Sequence, residues 1–297
     1  MTAALPLRHF LLALAVVAVW GTNFVVIRIG LDHLPPLLFA ALRFTLAAIP
    51  FVFLFKRPQV SWRNLALYGL FIGVGQFGLL FIAMRHDISP GLASLVVQMN
   101  AFFTVGLAAW LARERVRLFQ ITALAIAAAG IGTIIWHTDA QTTPLGLTLV
   151  LGAALAWAGG NMVVRSAGSA VNMVAYVAWS SLFAAPVLAA LAFAFEGWPA
   201  IRAGVANADL ATWAAVIWQS VGNSLFGYAA WGWLLTRYNA GTIAPLSLLV
   251  PVFGMGASAL WLAEPLPGWK LMAAALVMGG LALNTLGPRL WPKPAAA

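Results

Sequence analysis

The sequence predicts an all-α membrane protein of ten transmembrane helices, built as two five-helix repeats of inverted topology with both termini cytoplasmic. Three observations carry that expectation: too little charge for a soluble surface, ten apolar runs of bilayer-crossing length, and self-similarity at nearly constant offsets. Of 297 residues, 63% are hydrophobic and 8% charged, where soluble domains average roughly 45–50% and about 25%. The 16 Lys and Arg and 7 Asp and Glu cannot clothe a soluble protein of this length. Nor does the net charge of +9 mark a nucleic-acid partner, because the cations are spread along the whole chain and form no patch. Cysteine is absent, which excludes disulfides, thiolate metal sites, iron–sulfur ligation and thiol nucleophiles.

Each span is a stretch able to cross about 30 Å of hydrocarbon, which takes roughly 20 helical residues. Span 1 (10–27) lies between Arg8 and Arg28, and its length argues against a cleaved signal peptide. Lys56, Arg57 and Arg63 separate span 2 (37–55) from span 3 (64–84), and Arg85 and Asp87 precede span 4 (90–111). Span 5 (118–136) follows Arg117 and closes a first repeat, residues 1–138; the second occupies 139–297. Within it, span 6 (145–164) ends at Arg165 and span 7 (173–195) at Glu196. Span 8 (210–236) lies between Asp209 and Arg237, span 9 (242–263) ends at Glu264, and span 10 (271–287) follows Lys270. Arg43 is the one charge inside a span.

Sorting cations by side sets the orientation. Arg8, Lys56, Arg57, Arg63, Arg113, Arg115, Arg117, Arg165, Arg237, Arg289 and Lys293 share the side of the termini; Arg28, Arg85, Arg202 and Lys270 take the other, with every acid except Glu114. The richer side is cytoplasmic.

Trp20, Asn23 and Pro50 match Trp157, Asn161 and Pro186 at offsets of 136–138, while Gly91, Phe103, Gly106, Ala109, Glu114, Ala123, Ala125 and Gly130 match residues 150 further on. The jump in offset comes from the longer link between Glu196 and Asp209. Five spans are an odd number, so the second repeat is inverted relative to the first, a signature of alternating-access transporters.

Reactive groups are missing at depth. His9, His33, His86 and His137 lie at helix ends or loops, no span holds Asp or Glu, and there is no Gly-Lys-Ser/Thr phosphate loop. These absences exclude an intramembrane enzyme and ATP-driven transport by this chain alone. They also predict facilitative transport, since ion-coupled carriers usually hold a carboxylate near the midplane. No cofactor or metal is expected. The expected partners are a small-molecule substrate and membrane lipid, with no nucleic acid; the oligomeric state is left open, a monomer being compatible with the sequence.

The spans do hold neutral hydrogen-bonding side chains near mid-depth: Asn23, Gln76, Gln98, Asn100, Asn161, Gln219, Asn223, Tyr228 and Ser247. Unsatisfied amides are costly in lipid, so these groups face one another or water. Glue between helices and substrate contact are both open for any one of them; together they point to a polar central cavity. Trp20 and Asn23 share a helix face, as do Trp157 and Asn161, and Gln219 and Asn223. An indole beside an amide suits a ligand with an aromatic body and a small polar head. The expected substrate-binding set is Trp20, Asn23, Gln76, Gln98, Trp157, Asn161, Gln219, Asn223, Tyr228 and Ser247. Arg43 is expected to pair structurally or reach the outer interface rather than bind a substrate carboxylate. Pro50, Pro186, Pro245 and Pro251 remove helix hydrogen bonds and are expected hinges, with span 9 more bent than span 4. Gly69 and Gly73 give span 3 a face for close packing.

The inverted repeat, the stretch Trp20-Gly21-Thr22-Asn23-Phe24, the stretch Leu42-Arg43-Phe44, and Glu114 and Glu264 after spans 4 and 9 resemble the drug/metabolite transporter superfamily, EamA family, over essentially the whole chain. Within it the sequence is most similar to the YddG-type exporters of aromatic amino acids. The resemblance implies a bacterial inner-membrane exporter with a cavity among spans 1, 3, 4, 6, 8 and 9. Its expected substrates are Phe, Trp and Tyr, with Thr and other small metabolites. Other members move drugs and quaternary ammonium compounds, for which a cation–π cage would serve, and that is the alternative substrate class. Small four-helix relatives carry a Glu in helix 1, where this chain has Trp20 and Asn23, which argues against drug–proton antiport.

Overall fold

A chain this apolar must satisfy its backbone within each segment, and the described residues contain helices and no strand. The computed structural model describes residues 5–290 apart from 112, 115, 140, 169–170 and 239. Arg115, Trp291 and Lys293 therefore lie outside the described residues.

The long helices are α1 (Leu7–Leu31), α2 (Pro36–Ala48), α3 (Trp62–His86), α4 (Pro90–Leu111), α5 (Leu118–Trp136), α6 (Pro144–Ser166) and α7 (Met173–Leu191). A continuous helical run, α8, joins Leu210–Ile217, Trp218–Phe226 and Gly227–Arg237; α9 (Ala244–Leu262) and α10 (Gly268–Leu290) follow. Local chemistry starts them. Proline opens α2, α4 and α6, where its missing N–H costs nothing. Ser61, Thr143, Asn172 and Asp209 cap the helices after them by accepting backbone N–H groups.

Among the described residues nine helical stretches are long and apolar enough to cross a membrane. The stretch not among them is α8, whose middle carries Gln219, Ser220, Asn223 and Ser224. A second departure from expectation is the link after span 7: it is itself helical, Gly197–Asn207, beginning at Gly197 with φ +79°, a conformation glycine adopts without penalty. Pro50 ends α2 at a cis Ile49–Pro50 bond, while Pro186 sits inside α7. Pro245 and Pro251 open a six-residue 3₁₀ stretch (Ala244–Leu249) and the helix after it.

The two halves repeat each other in backbone detail. Nine-residue π-helical segments occupy Leu70–Gly78 in α3 and Trp218–Phe226 in α8. A short 3₁₀ stretch interrupts α4 at Val97–Met99, and another begins α9 at Ala244–Leu249. Arg113 and Ala263, 150 residues apart, both have φ +52°. Gly130 and Gly280, again 150 apart, let α5 and α10 touch: a Cβ at Gly130 would lie 3.0 Å from the Ala273 carbonyl, and one at Gly280 would lie 2.5 Å from that of Ala123. The apolar core, including Phe39, Phe77, Phe81, Leu92 and Tyr176, runs through both halves.

Candidate functional site

At the centre, α1, α2 and α8 meet along a buried polar line. The Asn23 side-chain oxygen accepts from Gln219 Nε2 at 2.7 Å, and Gln219 Oε1 accepts from the Arg43 guanidinium at 2.8 Å. Arg43 donates also to Ser224 Oγ at 3.1 Å, while Ser220 Oγ donates to the Arg43 carbonyl at 3.0 Å. All five side chains are buried. The guanidinium carbon lies 3.5 Å from the centroid of the Phe77 ring, a cation–π contact strengthened by the burial of both side chains.

The π segment of α8 makes this line possible. In an ordinary α-helix Gln219 and Asn223 would share a face; in the wider i→i+5 register it is Ser224, five residues on, that returns to Gln219, donating to its carbonyl at 3.0 Å. Asn223 contributes its backbone carbonyl instead, which accepts from the Trp20 indole at 3.4 Å. That indole lies over Gly227, where a Cβ would come within 2.3 Å of Trp20 Nε1, and faces the rings of Tyr228 and Trp231 with centroids 6.0 and 5.1 Å away. Trp20, Asn23, Gln219, Asn223 and Tyr228 thus form one neighbourhood.

The other expected residues stand apart from it. Asn161 Nδ2 donates to Thr104 Oγ1 at 3.1 Å, joining α6 to α4. Gln98 is buried in the 3₁₀ stretch of α4, and Trp157 is packed against the core. Ser247 Oγ donates to its own helix at Ala244. Gln76 is buried in the π segment of α3 with its Oε1 unpaired. The central cavity itself is closed to about 10 Å³, lined by Arg43, Tyr68, Phe77, Ser180, Ser181, Ser224 and Tyr228, which is about the space of one water. A larger cleft of about 600 Å³ lies elsewhere, around Arg28, Asp32, Arg85, His86 and Glu264 at one end of the bundle.

Sequence reasoning missed Ser220, Ser224, Tyr68 and Phe77. Ser224 was hidden by assuming α-helical spacing. Phe77 is one apolar residue in an apolar span, and nothing in the sequence marks it as the ring against Arg43.

At the helix ends, carboxylates reach across the repeats. Glu196 accepts the backbone N–H groups of Leu37 and Leu38 at 2.6 and 3.0 Å, capping α2. Glu264 accepts from Ser89 Oγ at 2.5 Å, Gly91 N at 3.0 Å, Lys270 Nζ at 2.9 Å and the Ser258 hydroxyl. Its counterpart Glu114 is half-exposed and pairs with Arg165 at 2.5 Å. Burial pushes the Glu264 carboxyl up, but the hydrogen bonds from Ser258, Ser89 and Lys270, with the Lys270 charge, outweigh it and hold the group below the ordinary glutamate value. Such carboxylates also complement the positive N-terminal ends of α2 and α4.

An all-helical bundle with matching backbone irregularities in its two halves, membrane-crossing helices and a buried polar centre has the build of a multi-pass membrane transporter. The EamA-like transporter family is matched twice, over residues 7–136 and again over 144–286. The chain belongs to this family; it is a multi-pass transporter of the bacterial inner membrane and not an enzyme. It is 41% identical over 286 residues to a Salmonella typhimurium protein named "Probable amino-acid metabolite efflux pump", covering 94% of this chain and 95% of that one. An Escherichia coli protein of the same name is 39% identical, with 95% and 96% covered. A "Probable terminal-alkyne amino-acid exporter" of Streptantibioticus cattleyicolor is 27% identical, with 92% and 93% covered. A crystal structure matches with a TM-score of 0.66 at 20% identity, covering 97% of this chain and 99% of the other, which shows the shared fold.

Proposed function

We propose that this chain exports amino acids, principally Phe, Trp and Tyr with Thr and other small metabolites, by facilitative alternating access. In this reading it is a YddG-type exporter, α8 also crosses the membrane and brings the nine spans to ten, and both termini are cytoplasmic. The observation that carries it is the juxtaposition of an aromatic wall, Trp20, Tyr228 and Trp231, with the neutral and cationic line Asn23, Gln219 and Arg43. An aromatic side chain suits the first and the polar end of an amino acid suits the second. The names of the two relatives near 40% identity support the same substrate class.

The polar middle of α8 is no objection to a tenth span. Gln219, Ser220 and Ser224 are buried and bonded to α1, α2 and their own helix, so lipid meets none of them. The two π segments, at equivalent places in the repeats, and Pro50, Pro186, Pro245 and Pro251 supply places for the halves to bend. Quaternary ammonium compounds are the weaker reading: Arg43 is a cation at the centre, and all the acids lie outside the ten expected spans.

The test is counterflow in proteoliposomes with labelled Phe, Trp, Thr and a quaternary cation. Saturable exchange of Phe and Trp is expected, without accumulation when a proton or sodium gradient is imposed. If Phe and Trp neither exchange nor compete, the amino acid reading is wrong. Accumulation against a gradient would sink the facilitative part alone.

A further inference from the structure

The most unusual group in this protein is Arg43. It is 1% exposed, and among the described residues no carboxylate lies within ion-pair distance of it. A buried cation ordinarily pairs with an anion, because the cost of removing it from water is only partly returned by neutral acceptors. Here the side-chain acceptors are neutral, Gln219 Oε1 and Ser224 Oγ, and the Nε–H has no partner among the described residues. The remaining compensation comes from the rings of Phe77 and Phe44, whose centroids lie 3.5 and 5.2 Å from the guanidinium carbon.

We propose that Arg43 is the anchor for the carboxylate of the transported molecule, which supplies the missing negative charge. This rests on the amino acid reading above and narrows it: the recognised group is the free α-carboxylate. Three observations carry it. The guanidinium borders the central cavity, whose walls add the Tyr228 hydroxyl as a donor for a carboxylate oxygen, while Tyr68 is bonded to Tyr228 and the Ser180 and Ser181 hydroxyls donate to the Val177 carbonyl. The Phe77 ring, its centroid 3.5 Å from the guanidinium carbon, covers one face and leaves the edges for in-plane hydrogen bonding, the geometry in which arginine binds carboxylates through two parallel bonds. The free Nε–H and the NH2 group, held by a single hydroxyl at 3.1 Å, together form one such edge.

The cavity holds about one water in this conformation, so the anchor is closed off and substrate reaches it when α3 and α8 part. Both helices contribute to the wall from their π segments, Phe77 on one and Ser224 on the other. A π segment departs from the regular ladder and is a common place for a helix to change register. A second buried group without a partner, the acceptor Gln76 Oε1, lies on the residue beside Phe77 and has the polarity an ammonium requires.

The test uses the full chain in proteoliposomes exchanging labelled Phe, with phenylalaninamide, 3-phenylpropionate and phenethylamine as competitors. For the unsubstituted protein, Phe and 3-phenylpropionate should compete at least tenfold better than the amide and the amine. Arg43→Gln should erase that preference, and Arg43→Lys should retain part of it. Because Arg43→Gln can fail to fold, a second measurement uses the native side chain: modification of Arg43 by phenylglyoxal, read by peptide mass, should be slowed by Phe and 3-phenylpropionate but not by the amide. Equal competition by acid and amide, an unchanged preference in a folded Arg43→Gln protein, or protection by the amide overturns the proposal. Absence of any amino acid exchange in the unsubstituted protein is a different result, since it overturns the reading on which the proposal rests.

Discussion

The carboxylate of Glu264 and the backbone N–H of Gly91 are hydrogen-bonded at 3.0 Å, tying the end of α9 in one repeat to the start of α4 in the other. Gly91 is glycine for a local reason: a Cβ there would lie 2.8 Å from the same carboxylate oxygen. The equivalent Glu114 is 47% exposed and bound to Arg165. At the positions matching Ser258 and Lys270 stand Ala108 and Gln120, which bring neither a hydroxyl nor a charge. The sequence builds a clasp at one end of the bundle that it does not copy at the other.

Holding that clasp shut should stop transport. The chain has no cysteine of its own, and Ser89 and Ser258 bond to opposite oxygens of the Glu264 carboxylate. Bridging a Ser89→Cys/Ser258→Cys protein with a short thiol-reactive linker should abolish Phe counterflow, and a cleavable linker should restore it on reduction. Unchanged counterflow after bridging would mean that this end does not open during transport.

The clasp should also set an acid limit on stability. Glu264 and Lys270 are both buried, with 7% of each side chain exposed, so Glu264→Gln leaves an uncompensated ammonium at an expected cost of about 3–5 kcal/mol. Glu264→Gln/Lys270→Met should cost less than Glu264→Gln alone. The folded carboxyl titrates below its ordinary value of 4.5, so its contribution is complete above that value and is lost as the pH falls through the lower folded one. Thermal melting in detergent across pH 3 to 7 should show an acid-side decline that Glu264→Gln removes. A matching decline in the variant would assign it to other groups.

Small residues should sort sharply by position. A Cβ at Gly69 would lie 2.2 Å from the Ser180 carbonyl, so Gly69→Ala forces α3 away from α7, an overpacking expected to cost about 1–3 kcal/mol. Gly256 has nothing within 4 Å, and Gly256→Ala should be neutral or stabilise by up to about 1 kcal/mol. Melting temperatures of the two variants check the pair. Equal effects would contradict the α3–α7 contact.

The spans and the repeat could be read directly because lipid removes alternatives: an apolar run must form its own backbone bonds, and charge collects at its ends. What escaped was register. Counting in steps of 3.6 placed Gln219 with Asn223, whereas the π segment pairs Gln219 with Ser224, and no pattern in Trp218–Phe226 announces that change. The partners of Arg43 escaped for a related reason. Its distance from the start of α2 allows snorkelling, but Glu196, just beyond the end of α7, caps that start at Leu37 and Leu38, and the acceptors that draw Arg43 inward come from α8, some 176 residues away. Long-range partners of this kind leave no local trace.

The buried line should be uneven in its response to truncation. Asn23→Leu removes one bond and leaves the Gln219 amide without that acceptor; Gln219→Leu removes the same bond and also deprives Arg43 of its 2.8 Å acceptor. The second change should therefore destabilise more, since a charged group loses a partner, where such bonds are worth about 1.5–3 kcal/mol against roughly 1 for neutral ones. Melting of the two variants decides it. A larger loss in Asn23→Leu would show that Arg43 does not depend on Gln219.

Trp20 should distinguish substrates rather than merely support the fold. Its indole donates to the Asn223 carbonyl and lies against Tyr228 and Trp231 beside the buried line, whereas Trp157 is packed into the core on α6. Aromatic pairs contribute about 0.5–1.5 kcal/mol beyond burial, which corresponds to roughly two- to tenfold in flux at limiting substrate. Trp20→Ala should accordingly reduce exchange of Phe and Trp by about that factor more than exchange of Thr, and Trp20→Phe should keep most of the difference. Trp157→Ala, acting through packing, should lower all three alike. Parallel counterflow with the three labelled amino acids makes the comparison within one preparation, so that differences in protein yield cancel in the ratio. If Trp20→Ala lowers Thr exchange as much as Phe exchange, the indole holds helices together and the aromatic wall of the site must be sought elsewhere.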